Sequence, residues 1–153
     1  MSTRFDAFDR ALREIAVPAL SAHGFKFDGS RTFRRLSQDR SVSELVNFQL
    51  GQRSMSGKFT VNLGVYADGD SPGISADQAK EHDCAPARRT RLGPLIPTRF
   101  PALAKLPYIG FLFGPGDKWW SCSDDATQMG LVMPVVVNKI IQCGLPWHKV
   151  SGP

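Results

Sequence analysis

A stretch of strict hydrophobic alternation, residues 58–66, constrains the fold more than any other part of the sequence. Every second residue is large and apolar, at Phe59, Val61, Leu63 and Val65. A period of two is typical of a strand with one buried face. Residues 42–50 alternate in the same way, although Glu44 interrupts the apolar set and favours a strand that begins near Leu45. The polar loop 51–57 between the two stretches predicts an antiparallel hairpin.

Helical periodicity marks both ends of the chain. Apolar residues recur at steps of three and four over residues 3–22, which predicts an amphipathic N-terminal helix. A second helix is predicted over 124–143, with a kink at Pro134. Gly144 followed by Pro146 is typical of a helix end, so we expect the second helix to stop there.

Shorter strands complete the predicted sheet. Residues 25–27, 32–36 and 89–93 have the composition or the alternation of strands. A sheet must cover its apolar face, and the two helices can do so. We therefore expect an α+β fold, with an antiparallel sheet of four or five strands and the N- and C-terminal helices packed on one face. A length of 153 residues with 42% hydrophobic composition suits a single domain over 1–153.

Composition and charge exclude several classes of protein. The longest unbroken apolar run, 130–137, is much shorter than the ~20 residues of a membrane span. The charged N-terminus lacks the apolar core of a signal peptide. The 3 cysteines are widely spaced and include no C-x-x-C pair, which favours free thiols in a reducing compartment. We expect a cytoplasmic protein with no membrane partner.

Basic residues are concentrated in one segment, 84–116. The chain has a net charge of +5, and this segment contains five basic residues and six prolines but no acid. Proline at this density opposes regular structure, so we expect a Pro-rich basic excursion. A basic surface attracts nucleic acid, another polyanion or an acidic partner, although many soluble proteins are mildly basic without one. The basic residues are Arg88, Arg89, Arg91, Arg99 and Lys105.

The sequence contains none of the motifs that mark common catalytic or metal sites. It has no glycine-rich phosphate loop, no nucleophile elbow and no H-E-x-x-H helix. His82 precedes Asp83 and Cys84, but adjacent side chains diverge and no further ligand lies nearby in sequence. His148 is expected in a solvated C-terminal tail. We therefore predict no catalytic residue, no metal site and no cofactor.

Polar and aromatic residues of the predicted strands are candidates for binding. On the hairpin, uncharged polar side chains face away from the apolar set, as in a hydrogen-bonding or a solvated surface. Adjacent strand residues point to opposite faces, so one member of each Arg-Arg and Trp-Trp pair is expected outside the core. The candidate binding residues are Arg34, Arg35, Asn47, Gln49, Asn62, Arg89, Arg91, Trp119 and Trp120.

Short motifs along the chain resemble those of a known family when they are taken in order. They are GFK at 24–26, FRR at 33–35, VNFQ at 46–49, GKFTVNLG at 57–64, RTRLG at 89–93, DKWW at 117–120 and GLP at 144–146. The set resembles a catalogued bacterial family of domains of unknown function, in the four-thousand-three-hundred series, over nearly the whole chain. The resemblance implies a helix, antiparallel strands and a closing helix, with no established activity and no catalytic residue. The segment between Gly93 and Asp117 is longer than the resemblance implies.

Three hypotheses for function remain open. The first is a non-catalytic module that binds a protein or a small ligand, by analogy with immunity-type proteins. The second is binding of nucleic acid or another polyanion through the basic residues from Arg88 to Lys105. The third is an enzyme with a site of unrecognised type. The missing catalytic motifs favour the first hypothesis over the third, and the acids scattered along the rest of the chain favour it over the second.

Overall fold

The computed structural model describes residues 4–97 and 117–153, and the predicted hairpin lies at the centre of its sheet. The strands are β1 (Lys26–Phe27), β2 (Thr32–Leu36), β3 (Val42–Leu50), β4 (Lys58–Ala67), β5 (Arg89–Arg91) and β6 (Trp120–Ser121). All pair antiparallel in the order β1-β2-β3-β4-β5, and β6 pairs with the start of β4. The predicted α+β class and antiparallel sheet are therefore confirmed.

The N-terminal helix contains a wide turn immediately before its proline. α1 (Arg4–Ala11) continues through a π-helical turn, Leu12–Ala16, into α2 (Val17–Ser21). Pro18 lies in the first turn of α2 and has no N–H to donate to the preceding turn. At that point the backbone hydrogen bonds change from α-helical to π-helical spacing. Single π-helical turns of this kind occur inside longer α-helices. The helix predicted over 3–22 is confirmed with this local departure.

The C-terminal helix does not end where the sequence predicts. α3 (Ala126–Lys139) continues through a π-helical turn, Ile140–Gly144, into α4 (Leu145–Ser151). Gly144 has a φ of −75°, which is right-handed helical backbone. As in the first helix, a π-helical turn precedes the proline, here Pro146, and accommodates its missing N–H. The prediction of a helix end at these two residues is wrong.

Close packing against the sheet explains the glycine at position 144. A Cβ atom there would lie 3.2 Å from Cδ1 of Leu63 on β4, which is tighter than an ordinary contact. A residue without a side chain therefore lets the helix approach β4. From the sequence alone, a glycine that allows close helix packing cannot be distinguished from a glycine that ends a helix.

The two helices cover one face of the sheet, as predicted. The ring of Phe8 packs edge-on against Phe59, with 5.0 Å between centroids. By length and composition alone, the helical stretch 126–151 could span a membrane. The expectation that the chain has no membrane span rests on the shorter apolar run 130–137, which is too short to form one. The inner side of the stretch 126–151 is buried against the sheet, as in the core helix of a folded domain. The buried residues on the sheet side include Phe33, Val46, Phe48, Phe59, Val61 and Leu63.

The third strand begins earlier than the sequence predicts. β3 starts at Val42 rather than near Leu45, so the expectation drawn from Glu44 is wrong. Glu44 lies opposite Arg35 on β2, and its carboxylate is 2.5 Å from the guanidinium. Because the ion pair compensates the charge, the strand tolerates an acid on its otherwise apolar face.

A long loop packs over part of the second face of the sheet. Residues 68–88, named here the covering loop, bury Leu45 and Tyr66 completely. Nε of Arg34 donates a hydrogen bond of 3.2 Å to the carbonyl oxygen of Ala79 in this loop. Strand alternation predicts an open polar face here, whereas the covering loop packs over part of this face, between one cavity beside β5 and another beside β1.

Candidate functional site

A row of polar side chains crosses the open part of the second face next to β5. Thr32, Asn47, Asn62 and Arg91 lie directly opposite one another on four neighbouring strands. Asn47 Nδ2 donates to Thr32 Oγ1 at 3.0 Å, and Asn62 Nδ2 donates to Asn47 Oδ1 at 3.3 Å. Asn62 Nδ2 also donates to Oε1 of Gln49 at 2.8 Å. The structure therefore brings the candidates Asn47, Gln49 and Asn62 together.

A cation and an aromatic ring lie at the β5 end of this row. The guanidinium of Arg91 forms an ion pair with Asp117 and lies 5.3 Å from the ring centroid of Trp119. The indole Nε1 of Trp119 donates to Oδ2 of Asp117 at 3.1 Å. Each of the three groups restricts the other two, so the row ends in a fixed, half-exposed aromatic surface. The polar face is defined as Thr32, Asn47, Gln49, Asn62, Arg91 and Trp119.

A shallow cavity adjoins the polar face. Its volume is about 310 Å³, and its lining includes Asn62, Arg89 and Arg91 on the sheet with Glu81 and His82 on the covering loop. Arg89 lies on the same face of β5 as Arg91 and donates through Nη1 to the carbonyl oxygen of His82 at 3.3 Å. Oε2 of Glu81 is buried and has no hydrogen-bond partner among residues 4–97 and 117–153. Arg89 is therefore placed at the rim of the polar face.

Three other candidates lie away from the polar face. Arg34 binds the covering loop, as described above. Arg35 points to the helix-covered side, where its guanidinium lies 4.6 Å from the ring centroid of Phe25. Trp120 is buried there too, with its ring 5.9 Å from that of Phe59. Arg34 and Arg35 thus lie on opposite faces of the sheet, and so do Trp119 and Trp120.

Ion pairs neutralise much of the basic segment where the structure describes it. Arg88 forms an ion pair with Asp70, and Arg91 forms one with Asp117. Both acids lie outside 84–116. Burial alone would raise the pKa of Asp70, but hydrogen bonds from Arg88 and two backbone amides lower that pKa below its ordinary value. Arg99 and Lys105 lie outside the described residues, as does the greater part of the predicted excursion.

A buried histidine corrects another expectation. His148 is 1% exposed, so the prediction of a solvated tail is wrong, because α4 continues past the expected helix end. Its Nε2 lies 3.1 Å from the carbonyl oxygen of Leu45, and burial lowers the pKa of the ring to about 4. The ring has no access to a ligand in this position.

The thiol of Cys84 is also poorly suited to act as a nucleophile. Burial, with smaller contributions from nearby carboxylates, raises the pKa of Cys84 to about 12. The thiolate needed for nucleophilic attack is therefore scarce at neutral pH. In the described parts of the chain, no three acidic, histidine or cysteine side chains are grouped to hold a metal ion.

Sequence reasoning missed two contributors to the polar face. Thr32 extends the row beyond Asn47, and only the register of β2 against β3 reveals it. Asp117 fixes Arg91 from a distance of 26 residues in the sequence. The sequence marks it only as the first acid after the acid-free segment and as the start of the DKWW motif, neither of which pairs it with Arg91.

Comparison with known proteins gives one match. The family model described as "Domain of unknown function (DUF4304)" matches residues 16–149, which confirms the resemblance drawn from the short motifs. No curated protein and no solved structure matches the chain.

Proposed function

Since the chain belongs to the DUF4304 family, whose function is unknown, we propose from its own surface that it is a non-catalytic module that binds a protein through the polar face. The observation that carries the proposal is the hydrogen-bonded row of amides that ends at Arg91 and Trp119. An immunity-type role, in which the bound protein is a toxin, is one case of this proposal.

Spare hydrogen-bonding capacity on the polar face supports a binding role. Within the described residues, Nε2 of Gln49 and Oδ1 of Asn62 have no hydrogen-bond partner. A partner surface can use these groups without displacing a charge. The bonds that the amides already make hold them in place, so little side-chain entropy is lost on binding.

The composition of the polar face favours a protein over other ligands. Tryptophan and arginine are enriched among the residues that contribute most to protein interfaces. Trp119 and Arg91 are held against each other and against Asp117, which presents a rigid anchor beside a neutral hydrogen-bonding area. The guanidinium is already paired, which makes the face a weak attractor for a polyanion.

Features of the polar face also support a non-catalytic role. Its one hydroxyl, on Thr32, is 2% exposed and already accepts a hydrogen bond from Asn47. Cys84, in the covering loop, is buried against the sheet, and its pKa is raised to about 12. A binding surface needs no activated nucleophile, whereas covalent catalysis does.

Affinity capture from the native host tests the proposal with matched variants. We expect a protein that is retained by the native chain and is lost with Gln49→Glu and with Trp119→Ala. Leu131→Gln is the control, because Leu131 is 70% exposed on α3, on the helix-covered side of the sheet. Retention of the same protein by all four chains would contradict the proposal. Loss of the captured material after nuclease treatment would show a nucleic acid instead.

A further inference from the structure

A separate cavity lies at the opposite edge of the sheet. Its volume is about 480 Å³, and its lining includes Lys26, Arg34, Gln38, Arg40 and Asp77. We name it the edge cavity. The covering loop packs on the sheet between this cavity and the polar face, so the two are distinct surfaces.

Two uncompensated cations face the edge cavity from neighbouring strands. Lys26 on β1 lies directly opposite Arg34 on β2 in an antiparallel pair. Like charges in this position destabilise a sheet. Lys26 is exposed and makes no ion pair with the described residues, and Arg34 binds the neutral carbonyl oxygen of Ala79. Neither charge is neutralised by an acid among residues 4–97 and 117–153.

A third cation is held in an unfavourable backbone conformation. Arg40 has a φ of +61°, in the left-handed region that favours glycine. It lies in the turn between β2 and β3, where its amide donates to the carbonyl oxygen of Ser37 at 3.0 Å. Its guanidinium is 3.4 Å from the carboxylate of Asp77. Glycine would suit this turn better, and the arginine instead places a guanidinium at the edge cavity.

We propose that the edge cavity binds the phosphate group of a small molecule. Arg40 and Asp77 compensate each other, which leaves the charges of Lys26 and Arg34 to match a phosphate dianion. Arg40 retains further N–H donors for the anion, and the side-chain amide of Gln38 supplies another. The cavity lies within the range of about 300–1,000 Å³ that is usual for small-ligand sites. A bound dianion removes the repulsion between the two strands.

Titration calorimetry at constant ionic strength tests this site with inorganic phosphate, sulfate and acetate. We expect saturable binding of phosphate and of sulfate, and binding of the monoanion acetate that is weaker by about tenfold, the effect of one charge-assisted hydrogen bond. Lys26→Gln and Arg40→Gly should each weaken phosphate binding by about tenfold. Neither should lower the midpoint of urea unfolding, because one removes a repulsion and the other relieves a strained backbone.

Arg53→Gly is the matched control. Arg53 also has a positive φ, of +53°, and is exposed, but it does not line the edge cavity. This variant loses the same charge and relieves the same kind of backbone, so its phosphate affinity should stay at the native value. Equal losses in Arg40→Gly and Arg53→Gly, or no saturable phosphate binding to the native chain, would overturn the proposal.

Two further ligands separate the possible sources of the phosphate group. Glycerol 3-phosphate should bind at least as tightly as inorganic phosphate, whereas vesicles that contain phosphatidic acid should not be retained more than neutral vesicles. Preferential vesicle binding would overturn the small-molecule assignment. Because capture on the polar face uses other residues, failure at the edge cavity leaves that proposal intact.

Discussion

The imidazole Nε2 of His148 lies 3.1 Å from the main-chain carbonyl oxygen of Leu45, which ties the last helix to β3. The ring is buried, and its Nδ1 has no hydrogen-bond partner within the described residues. Burial is the largest influence on its pKa and lowers it from 6.5 to about 4, while Glu44 opposes this shift and Arg35 adds to it. Burial therefore keeps the ring neutral at neutral pH, although the hydrogen bond with Leu45 by itself favours the protonated form.

We expect the protein to lose stability as the pH falls from 6.5 towards about 4. The unfolded chain binds a proton at His148 near pH 6.5, whereas the folded chain does so only near pH 4, so acid favours unfolding. From this group, the free energy of unfolding should fall by about 2 kcal/mol between about pH 7 and pH 5. Urea unfolding at the two pH values measures the change.

Two variants show whether His148 causes this acid sensitivity. His148→Gln keeps an N–H donor but cannot titrate, so its free energy of unfolding should change much less over the same range. His23→Gln should keep the native dependence, because His23 is exposed. A native-like dependence in His148→Gln would mean that other groups are responsible.

Substitution of two glycines in the same helix should have opposite effects. Gly130→Ala has no atom within 4 Å of the new Cβ, and it should stabilise the protein by up to about 1 kcal/mol through helix propensity. Gly144→Ala should destabilise it, because the Cβ would press on Leu63 at 3.2 Å. In a Leu63→Ala background, Gly144→Ala should become neutral or stabilising. Stabilisation by Gly144→Ala in the native background would refute the packing explanation.

Leu63 itself should be among the costly positions to truncate. It has no exposed surface and lies on the helix-covered face of β4. Leu63→Ala should lower the free energy of unfolding by about 2–5 kcal/mol, measured in urea. Leu131→Ala, at a position that is 70% exposed, should change it by less than about 0.5 kcal/mol. A loss below about 1 kcal/mol at Leu63 would mean that the strand faces are reversed.

The alternation in β4 was enough to predict its core face, because a residue's parity along a strand decides the face it joins. The same parity placed Asn47, Gln49 and Asn62 on one surface. It could not show that the covering loop would bury Tyr66 on that surface, because a loop's path depends on distant contacts. Local pattern therefore predicted the layers of the fold better than the extent of the open face.

The errors at the C-terminal helix have a specific physical origin. Glycine and proline oppose helices through the backbone, but a π-helical turn removes the cost of Pro146, and contact with Leu63 favours Gly144. Both depend on tertiary structure. A helix end predicted at Gly144 also puts His148 in a tail, although this residue belongs to the core. The pairing of Arg91 with Asp117 was hidden for a similar reason, since 26 residues separate them in sequence.

The ion pair between Arg91 and Asp117 gives a test of the polyanion hypothesis. If the acid neutralises the basic segment, Asp117→Asn should free the guanidinium, strengthen binding to heparin and raise the salt concentration needed for elution. Asp124→Asn is the control, because it removes the same charge from an exposed residue with no ion pair to a described residue. We expect Asp117→Asn to elute at a clearly higher salt concentration than Asp124→Asn. Equal elution of the two variants would mean that net charge alone governs heparin binding, and that the ion pair does not mask a site on the polar face.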